Sequence, residues 1–146
     1  MSLILLESTS RWAAAFRREQ RKGYQRSLPP APLFIKEVRS QPHCLRELEA
    51  SPHSIVAVEV LPKNLAAAAR ALSDWSSRFP HARFIALASR GLECHELLLR
   101  EAGAIHVTFS PRSLAPLLRL IRRHLARAPK KEQTLEEAIW GALPWK

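Results

Sequence analysis

Apolar runs of strand length alternate along this chain with segments whose apolar residues recur at helical spacing, the pattern of an α/β fold on a mainly parallel sheet. The first run, Leu3-Ile4-Leu5-Leu6, ends in Glu7-Ser8-Thr9. Thr9 or Ser10 is then placed to cap a helix that begins near Arg11, carries Trp12 and Phe16 on one face, and stops at Gly23. Pro29, Pro30 and Pro32 mark a loop in which a helix cannot continue. Leu33 to Val38 reads as a short, more polar strand at a sheet edge, and Pro42 to Ala50 as a helix with Cys44, Leu45 and Leu48 inward. Ser54 to Val60 is β-branched and almost continuously apolar, as a strand buried on both faces should be.

Asn64 is placed to cap a long alanine-rich helix, Leu65 to Arg78, that ends before Pro80. Arg83 to Ala88 is a second buried strand, Glu93 to Ala102 a helix closed by Gly103, and Ile105 to Phe109 the last strand. Ser113 opens an amphipathic helix whose Leu114, Leu117, Leu118, Ile121 and Leu125 form one stripe. Five strands and five helices thus alternate strictly, and beyond Pro129 the composition changes. The expected division is a domain over 1–128 and an extension over 129–146. In the extension, Leu135 to Leu143 with Trp140 reads as a short helix, and Trp145 either packs back or anchors a partner.

Size and composition agree with one domain. A chain of 146 residues, 47% hydrophobic, can bury a core without disulfides or metals. No segment approaches the roughly 20 apolar residues of a membrane span, and Met1 to Glu7 lacks the basic flank and cleavage site of a signal peptide. A cytoplasmic location follows as the expectation, with Cys44 and Cys94 reduced and structural. The pairs His43-Cys44 and Cys94-His95 do not converge readily on one ion, because helical neighbours point about 100° apart. No metal or cofactor is expected. The chain has four glycines and no phosphate-cradling motif or nucleophile elbow. Ser89 and Ser110 have no acid placed to orient a histidine base. The six histidines are scattered.

Charge changes the picture more. The net charge is +10, and two segments hold it. Arg11, Arg17, Arg18, Arg21, Lys22 and Arg26 face Glu19 alone, a net of +5. Arg112, Arg119, Arg122, Arg123 and Arg127 face no acid, another +5. Arg119, Arg123 and Arg127 stand at i, i+4 and i+8 opposite the leucine stripe, where like charges repel. An acidic partner is therefore expected.

Five alternating units suit a flavodoxin-like, three-layer, doubly wound sandwich with strand order 2-1-3-4-5. Within that arrangement, Glu101-Ala102-Gly103-Ala104 leading into Ile105-His106-Val107-Thr108-Phe109-Ser110-Pro111 resembles the bacterial response-regulator receiver, in which E-A-G-A precedes the last strand and a Lys-Pro pair. Leu114 to Leu125 is similar to the receiver's final helix, and Ser54 to Pro62 to its central strand. The resemblance spans roughly Leu3 to Arg127, with E-A-G-A its most specific part.

A receiver needs an acidic pair after the first strand and a central aspartate to hold Mg²⁺ and accept a phosphoryl group, with a hydroxyl and a lysine to bind its oxygens. At the corresponding positions stand Glu7 with no second acid, Val58 (or Glu59, one residue on), Ala88 with Ser89 beside it, and Ser110 in place of lysine. Phosphotransfer is therefore not expected. Glu7 and Glu59 read either as solvated carboxylates at strand ends or as a residual divalent-ion site. The resemblance implies a non-catalytic signalling module working by protein contact through the face of the fourth helix, last strand and last helix, with His95, His106 and Arg119. Another signalling protein, an acidic surface or a second copy would be the partner. It also places the first and last helices side by side, merging their arginines into one basic face. Nucleic acid, bound through its phosphates, is the alternative partner. A membrane partner is not expected.

Overall fold

Each apolar run becomes a strand. In the computed structural model, which describes residues 2–24, 33–112 and 114–127, the order is β1 (Ser2–Leu6), α1 (Arg11–Tyr24), β2 (Phe34–Val38), α2 (Gln41–Ala50), β3 (Ile55–Val60), α3 (Leu65–Arg78), β4 (Arg83–Ala88), α4 (Glu96–Glu101), β5 (Ala104–Thr108) and α5 (Ala115–Arg127). The proline loop, Arg26, Ser113, and the extension with its expected helix, Trp140 and Trp145 lie outside the described residues.

The strands form one parallel sheet in the order β2-β1-β3-β4-β5, as the alternation predicted. Two cores cover its faces because side chains alternate along each strand. Ile4, Leu6, Val56, Val58, Val60, Phe84 and Ala86 join Cys44 and Leu48 of α2, Leu72 and Trp75 of α3, and Leu99 of α4. Leu3, Leu5, Ile55, Ala57, Ile85 and Leu87 join Trp12 and Phe16 of α1 and Leu114, Leu117, Leu118 and Ile121 of α5. The sheet is thus sandwiched between α2–α4 and the α1/α5 pair.

Several local expectations need correction. Ser10 sits before α1 with φ 58°, and its carbonyl accepts from the Ala14 amide, but neither its side chain nor that of Thr9 caps the helix. Arg39 donates to the Ser10 hydroxyl, and Thr9 donates to Glu59. Asn64 makes no side-chain cap for α3. Its Oδ1 accepts from the Leu61 amide at 2.6 Å and its Nδ2 donates to the Glu59 carbonyl at 3.3 Å, closing the turn after β3. The predicted helix from Glu93 opens as a 3₁₀ turn, Glu93–His95, and only Glu96–Glu101 is α-helical. Of its three leucines Leu99 alone is buried. Both cysteines are free; burial pushes the Cys44 thiol up to about 12, helped by Glu47, while Cys94 is exposed.

Candidate functional site

The C-terminal edge of the sheet carries the residues at which the receiver resemblance leads one to expect a phosphorylation pocket. Glu7 follows β1 and is buried (3% exposed). Its carboxylate accepts from the backbone amides of Trp12 at 3.0 Å and Ala13 at 2.9 Å. Glu7 is therefore the cap of α1, reaching from outside the helix to amides that have no partner within it. Burial raises the Glu7 carboxyl above its usual 4.5; the two amides oppose this, and Glu59 and Glu37 add to it.

The sign of that shift sets a pH dependence. A carboxyl raised by folding contributes stability that is complete below 4.5 and is lost as pH rises through the raised value. Glu7→Gln removes the titration. The stability of the native sequence relative to this variant should fall as pH is raised from 4.5, and chemical denaturation across that range reads it. A difference that stays constant, or moves the other way, contradicts the assignment.

Glu59 lies on β3, with its carboxylate on the α1/α5 side of the sheet. Oε1 accepts from the Ser8 amide at 3.2 Å and the Ser8 hydroxyl at 3.0 Å, and Oε2 from the Thr9 hydroxyl at 2.7 Å. Val58 points to the other face, into the core under α2 and α3, and is 2% exposed. Glu59 and Val58 therefore face opposite sides of the sheet, because one residue along a strand reverses the face. Neither acid is solvated, which corrects that expectation.

Arg39, after β2, completes the arrangement by donating to the Glu7 carbonyl at 3.3 Å and to Ser10. The β1–α1 loop is thereby tied by Glu7, Glu59 and Arg39. Periodicity carries no signal for Arg39 or for the Ser8 and Thr9 donors. The run Glu7-Ser8-Thr9-Ser10 offered one, a buried-side acid followed by three hydroxyls, but its partner lies 50 residues away.

At the other strand ends, Ala88 is buried on β4 and pairs with Val60, whose carbonyl accepts from the Ser89 amide. The Ser89 hydroxyl is buried without a partner. The Ser110 hydroxyl accepts from the Arg112 amide at 3.3 Å, fixing the turn after β5. This donor set does not fit Mg²⁺. Every oxygen of Glu7 and Glu59 already accepts from an N–H or O–H, Val58 is a hydrocarbon, and Arg39 adds a positive charge beside them. No three His, Cys, Asp or Glu side chains among the described residues are arranged for a metal ion.

The expected contact face has a different character. His95 lies in the turn before α4, His106 on β5 and Arg119 exposed on α5. Burial and Arg100 lower the pKa of His106, with Glu96 opposing. Beside them Leu97 (67% exposed), Leu98 and Ile105 are open to solvent. Only one other large hydrophobic among the described residues, Phe34, is exposed. Edge strand β5 and α4 thus each expose apolar side chains.

The first and last helices pack on the same side of the sheet, where Trp12 and Phe16 join Leu114, Leu117, Leu118 and Ile121 in one core. The basic face is smaller than its charge count, however. Arg17 pairs with Glu37 at 2.9 Å and Lys22 with Glu19 at 3.6 Å. Arg11 lies over the Trp12 ring, and the Arg122 Nε is buried. Arg123 and Arg127 line a cavity. Arg18, Arg21, Arg112 and Arg119 are exposed with no acidic partner among the described residues.

No protein-family model and no curated protein matches the sequence. Solved structures do match. A CheY-like protein, TadZ, from Pseudomonas aeruginosa PAO1 is 16% identical, with 89% of this chain and 97% of that one covered and a TM-score of 0.65. A response regulator from Thermotoga maritima is 13% identical, with coverage of 86% and 97% and a TM-score of 0.66. A protein described as an atypical orphan response regulator with a phosphorylation-independent regulatory mechanism is 16% identical, with coverage of 87% and 97% and a TM-score of 0.65. At these identities the likeness establishes the fold: the chain has the CheY-like, flavodoxin-like architecture of response-regulator receivers.

Proposed function

We propose that this chain is a non-catalytic receiver-like signalling module that acts by protein contact and carries no aspartyl-phosphate switch. The observation that carries the reading is the engagement of both carboxylates at the sheet's C-terminal edge. Glu7 caps α1 and Glu59 ties the β1–α1 loop, so every one of their carboxyl oxygens already accepts a hydrogen bond from the chain's own N–H and O–H groups. Val58, at the aspartate position, has no carboxylate at all. A structural neighbour described as regulated independently of phosphorylation supports the same reading.

The contact surface we assign is α4–β5–α5. Leu97, Leu98 and Ile105 supply apolar area whose burial is worth roughly 25 cal/mol per Å², and Arg119 supplies a basic rim suited to a partner with acidic residues around an apolar centre. Exposed Arg18 and Arg21 extend that charge around the molecule; duplex nucleic acid would engage the same arginines through its phosphates.

The test is treatment with acetyl phosphate and Mg²⁺ followed by intact-mass measurement. An unchanged mass is expected under conditions that modify a phosphorylatable receiver run alongside. Gain of one phosphoryl group that requires Mg²⁺ would overturn the proposal.

A further inference from the structure

The N-terminal edge of the sheet, opposite the degenerate pocket, carries a cavity of about 550 Å³ beneath the end of α5. Three guanidiniums line it, Arg83 at the start of β4 and Arg123 and Arg127 on α5, together with three imidazoles, His53, His81 and His124. No acid lines it. Arg83 is held in place by the carbonyls of Pro80 and Ala82, at 3.2 and 3.3 Å. Arg123 and Arg127 make no salt bridge among the described residues, and at i, i+4 they repel each other. Among the described residues the buried His124 Nε2 has no hydrogen-bond partner, a cost that a bound group would remove. Burial first, then the charges of Arg83 and His53, outweigh the His53 carbonyl and lower the pKa of His124. Among the described residues the wall is therefore short of negative charge.

The rest of the lining is apolar and aromatic. The His53 and His81 rings stack with centroids 5.1 Å apart. Ile105 is the extra residue of a β-bulge: Phe84 pairs with Ala104 and Ile85 with His106. A bulge re-aims its side chain, and Ile105 lines the cavity with Leu120. The volume lies within the roughly 300–1,000 Å³ of small-molecule sites, well above what a bare oxyanion fills.

We propose that this cavity binds a nucleoside phosphate. The phosphoryl oxygens sit on Arg123 and Arg127, whose planar forks match that geometry, with Arg83 completing the charge and His124 donating as a neutral imidazole. The base lies against the His53–His81 stack and the Ile105–Leu120 edge. This site is separate from the pocket at Glu7 and Glu59, so it stands whether or not that pocket takes up phosphate.

Calorimetric titration of the full chain with ATP, GTP, adenosine and inorganic phosphate tests it. One or both nucleotides should bind on the order of tenfold tighter than adenosine or phosphate, since two sets of contacts act together. Arg123→Gln/Arg127→Gln, at exposed positions that spare the core, should lose about tenfold in nucleotide affinity. His53→Ala should weaken nucleotides while leaving phosphate unchanged. The proposal is overturned if none of the four probes binds, if phosphate binds as tightly as the nucleotides, or if the arginine variant binds as the native chain does.

Discussion

Trp12→Ala is expected to cost about 3–5 kcal/mol of folding stability, the range for emptying an aromatic site in a close-packed core. Trp12 is 2% exposed, within the core that α1, α5 and the sheet share. Its amide is also one of the two that hold Glu7, so the indole that anchors α1 keeps the capped turn in register with the strand end. Trp12→Phe, which retains a ring, should cost well under half as much. Urea titration of the three proteins reads the difference. A loss below about 1 kcal/mol for the alanine variant, as at a surface position, would mean that α1 is not docked as described.

Gly103→Ala is the second large effect, and two independent causes produce it. Gly103 has φ +125°, where an L side chain is strained, and a Cβ there would stand 2.7 Å from both Cβ and Oγ of Ser76 on α3. Strain of this kind costs of order 1–3 kcal/mol and overpacking a further 1–3, so roughly 2–6 kcal/mol should be lost. Ser76→Gly in the same chain removes the clash but not the backbone strain, and should recover about half. Full recovery would make the clash the whole cause; no recovery would leave backbone strain alone.

The same glycine illustrates what could be read from the sequence. Glu101-Ala102-Gly103-Ala104 was legible because a helix that must end and reverse into a strand beside α3 needs a residue without Cβ. The alternation of apolar runs was legible for a similar reason, since a strand buried on both faces has no polar option. Strand order followed from the five-unit alternation, and β2 was placed at an edge by its polar residues. Boundaries moved where hydrogen bonds outside the element decide them. Glu93–His95 winds as a 3₁₀ turn, and β5 begins one residue earlier than its apolar run because Ala104 pairs with Phe84.

The candidate site was half legible. Counting from Pro62, Gly103 and Pro111 named Val58, Ala88 and Ser110 as positions where the groups of a phosphorylation pocket are not expected. The fate of the acids was not legible, because it depends on contacts distant in the chain. Glu59 meets Ser8 and Thr9, and Arg39 meets Glu7 and Ser10, across separations no local pattern reports. Sequence logic gave the helix cap to the hydroxyls nearest α1. The fold gives it to Glu7, whose two carboxyl oxygens reach the Trp12 and Ala13 amides together, and turns the Ser8 and Thr9 hydroxyls to Glu59. The arginine stripe on α5 was likewise only partly readable. Spacing placed Arg119, Arg123 and Arg127 together, but the cavity beneath the last two is made by residues preceding β3 and opening β4 and β5.

The central claim is that the strand-end pocket no longer communicates phosphorylation to α4–β5–α5. The most direct test is an amide NMR spectrum of the labelled chain with and without beryllofluoride and Mg²⁺, which together imitate a phosphoryl group on a carboxylate. The account predicts unshifted resonances for Glu7, Val58, Glu59, Ala88 and Ser110, and equally for Leu97, Ile105 and His106 on the contact face. Saturable shifts at the strand ends that extend to β5 and α4 would contradict it.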